Sequence, residues 1–126
     1  MATLLVADDD PSILSLTTDV LRAAGHVVHA VLDGALAIAV FELHQPSIQA
    51  VLMDVFMPGV DGVAAFQEIR RRRRDIPFLF VSGTLANLPV EVRAAPRVAV
   101  LTKPFHIVDL VAAVDQVLAF GAESAR

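Results

Sequence analysis

Cysteine is absent from this chain of 126 residues, so no disulfide can form, and a reducing cytoplasm suits the composition. Long apolar runs are absent too: none approaches the roughly 20 residues a membrane-crossing helix needs. Since 56% of the residues are nevertheless hydrophobic and mean hydropathy is +0.64, the apolar excess is expected in a core, with no membrane insertion. The opening Met1-Ala2-Thr3-Leu4-Leu5-Val6-Ala7 lacks a basic lead and runs into acids, unlike a signal peptide. A cytoplasmic location is expected. Positive charge is the scarcer sign: ten Lys and Arg face fourteen Asp and Glu, net −4, which argues against nucleic-acid binding by this domain. Half of the cations crowd into Arg70 to Arg74, read as a solvated helix end whose charge suits the negative end of the helix dipole. Repeats, low-complexity segments and linkers are also missing. The length suits one domain over 1–126, with a core over about 3–120 and a frayed tail at 121–126.

What is present is an alternation of short apolar runs with longer segments of helical period, the pattern of a parallel sheet covered by helices on both faces. Strands are expected over Thr3–Ala7, Val27–Val31, Ala50–Asp54, Pro77–Ser82 and Val98–Thr102. Ile13, Val20, Leu21 and Ala24 share one face of a first helix, with Gly25 as its stop. Asp33 and Asp61 are placed to cap the second and third helices; Pro46 ends the second, and Val63, Phe66 and Ile69 form the inward stripe of the third. Pro89 makes the fourth helix short or irregular. Ile107, Leu110, Val111, Val114 and Leu118 mark the inner face of the last.

Once the strands are placed, the polar residues that need explaining fall at one end. Asp8, Asp9 and Asp10 follow the first strand, Asp54 closes the third, Ser82 closes the fourth and Lys103 follows the fifth. Alone, Asp54 reads as a strand-end or turn residue. In open α/β sheets, however, ligands bind outside the carboxyl ends of the strands, where these groups can converge. Crowded carboxylates call for a cation, and an oxygen-only ligand set favours a hard ion such as Mg²⁺, with Mn²⁺ as a substitute. A lysine and a hydroxyl beside one carboxylate suit phosphoryl transfer, with Asp54 as the nucleophile that becomes an aspartyl phosphate. The histidines add no site: His26 and His29 lie on opposite faces of a strand, and His44 and His106 read as surface or cap residues.

Four fragments, in this order and each at a strand end, resemble the receiver domain of two-component response regulators. They are Leu5-Val6-Ala7-Asp8-Asp9-Asp10-Pro11, Met53-Asp54-Val55-Phe56-Met57-Pro58-Gly59-Val60-Asp61-Gly62, Val81-Ser82-Gly83 and Lys103-Pro104-Phe105. The resemblance implies a five-stranded, doubly wound, flavodoxin-like (βα)5 sheet of order 2-1-3-4-5. It also implies phosphorylation of Asp54 by a histidine kinase or histidine phosphotransfer protein. Mg²⁺ would be held by Asp9, Asp54 and the Phe56 main-chain carbonyl, with Asp8 acting through water. Lys103, followed by a cis bond to Pro104, would contact the phosphoryl group, and Ser82 would be the switch hydroxyl. The output would be a homodimer or partner surface made of the fourth helix, fifth strand and fifth helix.

Two positions depart from that pattern. Val100 stands where the family commonly has an aromatic switch residue, and Phe56 stands two beyond the acceptor, where a polar side chain often helps place water. Two other readings compete. A haloacid-dehalogenase-like phosphatase would use Asp8-Asp9-Asp10, but its further metal-binding acids would have to be Asp109 and Asp115, which fall in the last helix. A pseudo-receiver would keep the fold as an interaction module without the chemistry.

Overall fold

A computed structural model describes residues 1–124, with side chains through Gly121. Strands and helices alternate: β1 Thr3–Ala7, α1 Pro11–Ala23, β2 Val27–Val31, α2 Gly34–His44, β3 Ala50–Asp54, α3 Gly62–Arg72, β4 Phe78–Ser82, α4 Val90–Arg93, β5 Val98–Thr102 and α5 Ile107–Ser124. Every strand pair is parallel, and the order is β2-β1-β3-β4-β5. This is the doubly wound flavodoxin-like sheet the sequence led us to expect.

Alternate residues of the strands supply two cores. On one face Leu5, Met53, Phe78 and Phe80 pack with Phe41, Phe66 and Ile69 of α2 and α3. On the other, Leu4, Leu52 and Leu79 pack with Leu21 of α1 and Leu110 and Val114 of α5. β3 and β4 are therefore buried along their whole length, which is why they read as unbroken apolar runs. Asp10, Asp33 and Asp61 each accept hydrogen bonds from backbone N–H groups at the start of α1, α2 and α3, each cap contributing about 1 kcal/mol.

Several expectations are corrected. β4 starts at Phe78; Pro77 has no N–H to give the ladder, although its carbonyl accepts from Val51 at 3.0 Å. The inward face of α1 is Leu14, Thr17, Thr18 and Leu21, while Ala24 lies beyond the helix and is exposed. Small threonines fit where the helix approaches the sheet, and their hydroxyls disguised the stripe. In α5 the buried set is Leu110, Val114 and Val117, whereas Ile107 is exposed in the first turn. That helix runs through Gly121 to Ser124. An added Cβ at Gly121 would lie 3.5 Å from the Pro77 ring, so α5 at Gly121 passes close to the approach to β4. The remaining tail residues, 125–126, lie outside the described ones. α4 is a single turn after a 3₁₀ turn at Leu85–Asn87, with Pro89 as its N-cap, short as expected.

The arginine run is not simply a solvated helix end. Arg70 donates from Nε to the Ile76 carbonyl (2.9 Å) and from Nη2 to those of Pro96 (2.7 Å) and Arg97 (3.3 Å). Its guanidinium lies 5.0 Å from the Phe66 ring centroid and 5.8 Å from that of Phe78. Arg73 reaches back to the carbonyls of Gln45 and Ile48 at 2.7 and 2.6 Å. These two arginines tie the α3 end to the starts of β3, β4 and β5. Arg70→Ala is expected to cost about 2–4 kcal/mol, because it strands several carbonyls and removes stacking. Arg70→Lys should recover only part, since an ammonium cannot reproduce the fork. Urea midpoints of the three proteins check this.

Candidate functional site

The parallel register sets the site. Ala7 pairs with Met53, Asp54 with Val81 and Ser82 with Thr102, so the residues that leave β1, β3, β4 and β5 emerge at one edge. Asp8 and Asp54 are buried, at 5% and 6% exposure, whereas Asp9 is exposed. The three offer carboxylate oxygens within 4.8 Å of one another. Lys103 crosses from the β5 end and donates from Nζ to Asp8 Oδ2 at 3.0 Å and Asp54 Oδ2 at 3.3 Å. Each carboxylate uses its other oxygen locally: Asp8 Oδ1 accepts from the Asp10 N–H at 2.9 Å and Asp54 Oδ1 from the Phe56 N–H at 3.3 Å. The peptide bond between Lys103 and Pro104 is cis.

Burial pushes the Asp54 carboxyl up to about 6; the Asp8 charge adds to the rise, and the charge and hydrogen bond of Lys103 oppose it. For Lys103, burial disfavours the ammonium, but its bonds to Asp8 and Asp54 outweigh that and hold its pKa above the ordinary value. One cation facing three carboxylates leaves negative charge in excess. An all-oxygen set of this kind fits a hard divalent ion.

Of the residues singled out from sequence, Asp8, Asp9, Asp54 and Lys103 are brought together. Ser82 lies at the same edge and is fully buried, yet its hydroxyl is turned to its own loop. Oγ donates to the Thr84 carbonyl at 2.8 Å and accepts from the Thr84 N–H at 3.3 Å. Phe56 contributes its backbone N–H to Asp54, while the residue is 62% exposed beside the site. Val100 is half-buried against the core, opposite Phe80 in the sheet. Asp109 and Asp115 lie within α5, so they do not supply the extra strand-end acids of the dehalogenase reading. His26 accepts from the Ala2 N–H, and His29 stacks on His44 at 4.5 Å between centroids.

Three contributors went unread in the sequence. Asp10 caps α1 instead of joining the cluster. Thr84 holds Ser82 and, through Oγ1, the N–H of Ala86 at 3.1 Å. Gly62 opens α3 hard against β3: a Cβ there would fall 2.2 Å from the Asp54 carbonyl oxygen, so only glycine lets the helix start so near the acid. The Asp61-Gly62 pair was the available signal.

The space beneath Asp8 and Asp54, beside Thr17 and Leu110, is about 10 Å³, far below the several hundred that enclose an organic ligand. Larger grooves lie elsewhere; one of about 590 Å³ near His26, Gln49 and Arg73 is at the opposite end of the strands. The carboxylate edge therefore suits an ion and a small group presented from solvent.

Comparison with known proteins agrees with this geometry. The family model described as response regulator receiver domain matches residues 4–115. The sensor kinase CckA of Brucella abortus is 30% identical over 122 residues, covering 93% of this chain and 12% of that kinase. The transcriptional regulatory protein PdtaR of Mycobacterium tuberculosis is 35% identical over 112 residues, covering 88% of this chain and 54% of that protein. The chain thus spans about half or less of these curated relatives. Among solved structures, the chemotaxis protein CheY4 of Vibrio cholerae superposes with a TM-score of 0.84 at 27% identity, covering 93% of this chain and 98% of that one. A response regulator receiver protein from Sinorhizobium medicae superposes with a TM-score of 0.83 at 31% identity and 94% coverage of each.

In the metal-free protein the Asp54 carboxyl should titrate near pH 6 by carbon NMR, and Asp8→Asn should move that midpoint down by removing the neighbouring charge. Because the folded value lies above the ordinary 3.8, this group's stability contribution is present at low pH and lost as pH rises through about 6. A midpoint at the ordinary value would refute the assigned burial and repulsion.

Proposed function

The chain belongs to the response regulator receiver domain family, and from that premise we propose that it takes a phosphoryl group onto Asp54 from a histidine kinase or histidine phosphotransfer protein. The observation that carries the reading is a buried Asp54 bonded to the same Lys103 ammonium that holds Asp8. An ionised Asp54 oxygen attacks phosphorus, the phosphorus–nitrogen bond of the donor breaks, and the imidazole leaves as a neutral ring that keeps the proton already on its other nitrogen. Lys103 follows the charge onto the phosphoryl oxygens. Asp9, Asp54 and the Phe56 carbonyl would hold Mg²⁺ or Mn²⁺, with Asp8 acting through water, and the ion would supply charge neutralisation at the transferring group. The domain is not a conventional enzyme: it catalyses its own phosphorylation and dephosphorylation and turns over no external substrate.

Signalling then begins at Ser82, whose hydroxyl exchanges the Thr84 carbonyl for a phosphoryl oxygen. Release of Thr84 loosens its bond to Ala86 and so the 3₁₀ turn that leads into α4. This route needs no ring at position 100. It alters the α4–β5–α5 face, where a partner or a second copy docks. No described helix is long and apolar enough to cross a membrane, and the proposed donors place this single-domain reading in the cytoplasm.

Incubation with Mg²⁺ and a small phosphodonor, followed by intact mass, should give one phosphoryl group on the wild type and none on Asp54→Ala or on chelator-treated protein. An unmodified wild type would instead favour a pseudo-receiver. Phe56, exposed beside the site, offers hydrolytic water no polar side chain, so Phe56→Asn should shorten the phosphate lifetime roughly 3- to 10-fold. Following the phosphorylated species by mass over time reads this, and slower loss from the variant would refute it.

A further inference from the structure

Doubly wound sheets owe their covered faces to helices that run the length of the strands, and here one falls short. α4 has four residues where α1, α2, α3 and α5 have thirteen, eleven, eleven and eighteen. At about 1.5 Å per residue it spans about 6 Å, against roughly 16 Å for a five-residue strand. The flank of α3 that a longer α4 would meet is left open. A groove of about 700 Å³ runs there, lined by Phe66, Gln67, Arg70, Arg71 and Arg74 on one side and Ala95 on the other.

The chemistry of this groove is specific. Its floor is the small exposed part of Phe66, Ala95 and the methylene stems of the arginines, all apolar. Its rim is cationic. Arg70 is committed to backbone carbonyls, but Arg71 is exposed and meets only Glu68, which Arg72 also shares. Arg74 has no carboxylate partner among the described residues. Arg97 stands close enough for its charge to disfavour that of Arg70. Seven of the ten basic residues, Arg70 to Arg74 with Arg93 and Arg97, lie on this stretch of a chain whose net charge is −4. A concentration of cation around an apolar floor calls for an anionic occupant that also brings an apolar anchor.

We propose that the groove between α3 and the α4–β5 loop docks an acidic segment of a partner protein, its carboxylates on Arg71 and Arg74 and one apolar side chain on Phe66 and Ala95. A nucleic acid fits less well, because it would leave the apolar floor unused. The docking does not depend on phosphorylation of Asp54.

The test is a nitrogen–proton NMR titration of the full chain with a synthetic amphipathic helical peptide of Glu and Leu. Control probes are the same peptide with Gln for Glu, the same with Ala for Leu, and single-stranded oligothymidylate. Saturable shifts are expected at Gln67, Arg71, Arg74 and Ala95 with the Glu-Leu peptide, and both altered peptides should bind at least about tenfold more weakly. Arg71→Glu and Arg74→Glu, both at exposed positions, should weaken binding by about tenfold or more, while Arg74→Lys stays within about threefold. Their spectra elsewhere report that the fold is kept. Absence of saturable shifts in the groove, or insensitivity to both charge reversals, would overturn the proposal. Binding of oligothymidylate as tightly as the peptide, with steep salt dependence, would overturn it in favour of a phosphate-tracking patch.

Discussion

One ammonium group holds the site together. Asp8 and Asp54 are both buried at the ends of neighbouring strands, and two carboxylates so placed repel each other in a medium that screens weakly. Lys103 lies between them, with a bond to each, and it comes from the far edge of the sheet, after β5. The parallel register of β1, β3 and β5 is thereby tested at one point: a slip of one residue in any of the three would turn its acid or its lysine to the other face. The same arrangement leaves the pair under-neutralised, and that residual charge sustains the raised Asp54 pKa and the demand for a further cation.

Charge is segregated along the strand direction. The carboxyl ends of the strands gather Asp8, Asp9, Asp54 and the capping Asp10, Asp33 and Asp61, while the arginines gather around the end of α3 and the approach to β5. The two ends use their charges differently. At the acidic end carboxylates that do not serve the site cap helices. At the basic end Arg70 and Arg73 spend theirs on backbone carbonyls, and Arg97 occupies a left-handed conformation at φ 58 while its carbonyl accepts from Phe78 and Arg70. Arg72 pairs with Glu42 and Glu68, and Arg74 has no carboxylate partner among the described residues.

Much of this was legible from sequence because the signals were local. Four of the strands begin and end where their apolar runs do, and Asp33 and Asp61 cap as their positions indicate. The site residues were legible because each closes or follows a strand, so that topology alone carries them to one edge. What escaped depended on contacts between distant segments. Thr17 and Thr18 look polar until a sheet is laid under α1. Gly62 looks like a turn residue until the Asp54 carbonyl is placed 2.2 Å from where its Cβ would be. The Arg70 to Arg74 run looks uniform, yet only the positions of Ile76, Pro96, Gln45 and Ile48 decide which members are struts. Ser82 was located correctly, but its engagement with Thr84 is a matter of rotamer, which no spacing encodes.

The brevity of α4 has a thermodynamic consequence. Forming a first helical turn fixes several residues for one hydrogen bond, and a four-residue helix never reaches the stage where added residues repay that entropy. What keeps it ordered is the Pro89 start and the burial of Leu88 and Val92. Short segments of this kind are drawn from the low-stability end of a fold and can open while the sheet beneath them stays intact. Moving a two-state element from 1:99 to 99:1 takes about 5.5 kcal/mol, and an element already near balance needs only a fraction of that. On the proposed switching route, reorienting one serine, worth a hydrogen bond or two, would then be enough to change how often Leu85–Arg93 is folded, and the segment would serve as a local order–disorder reporter of what happens at the carboxylates.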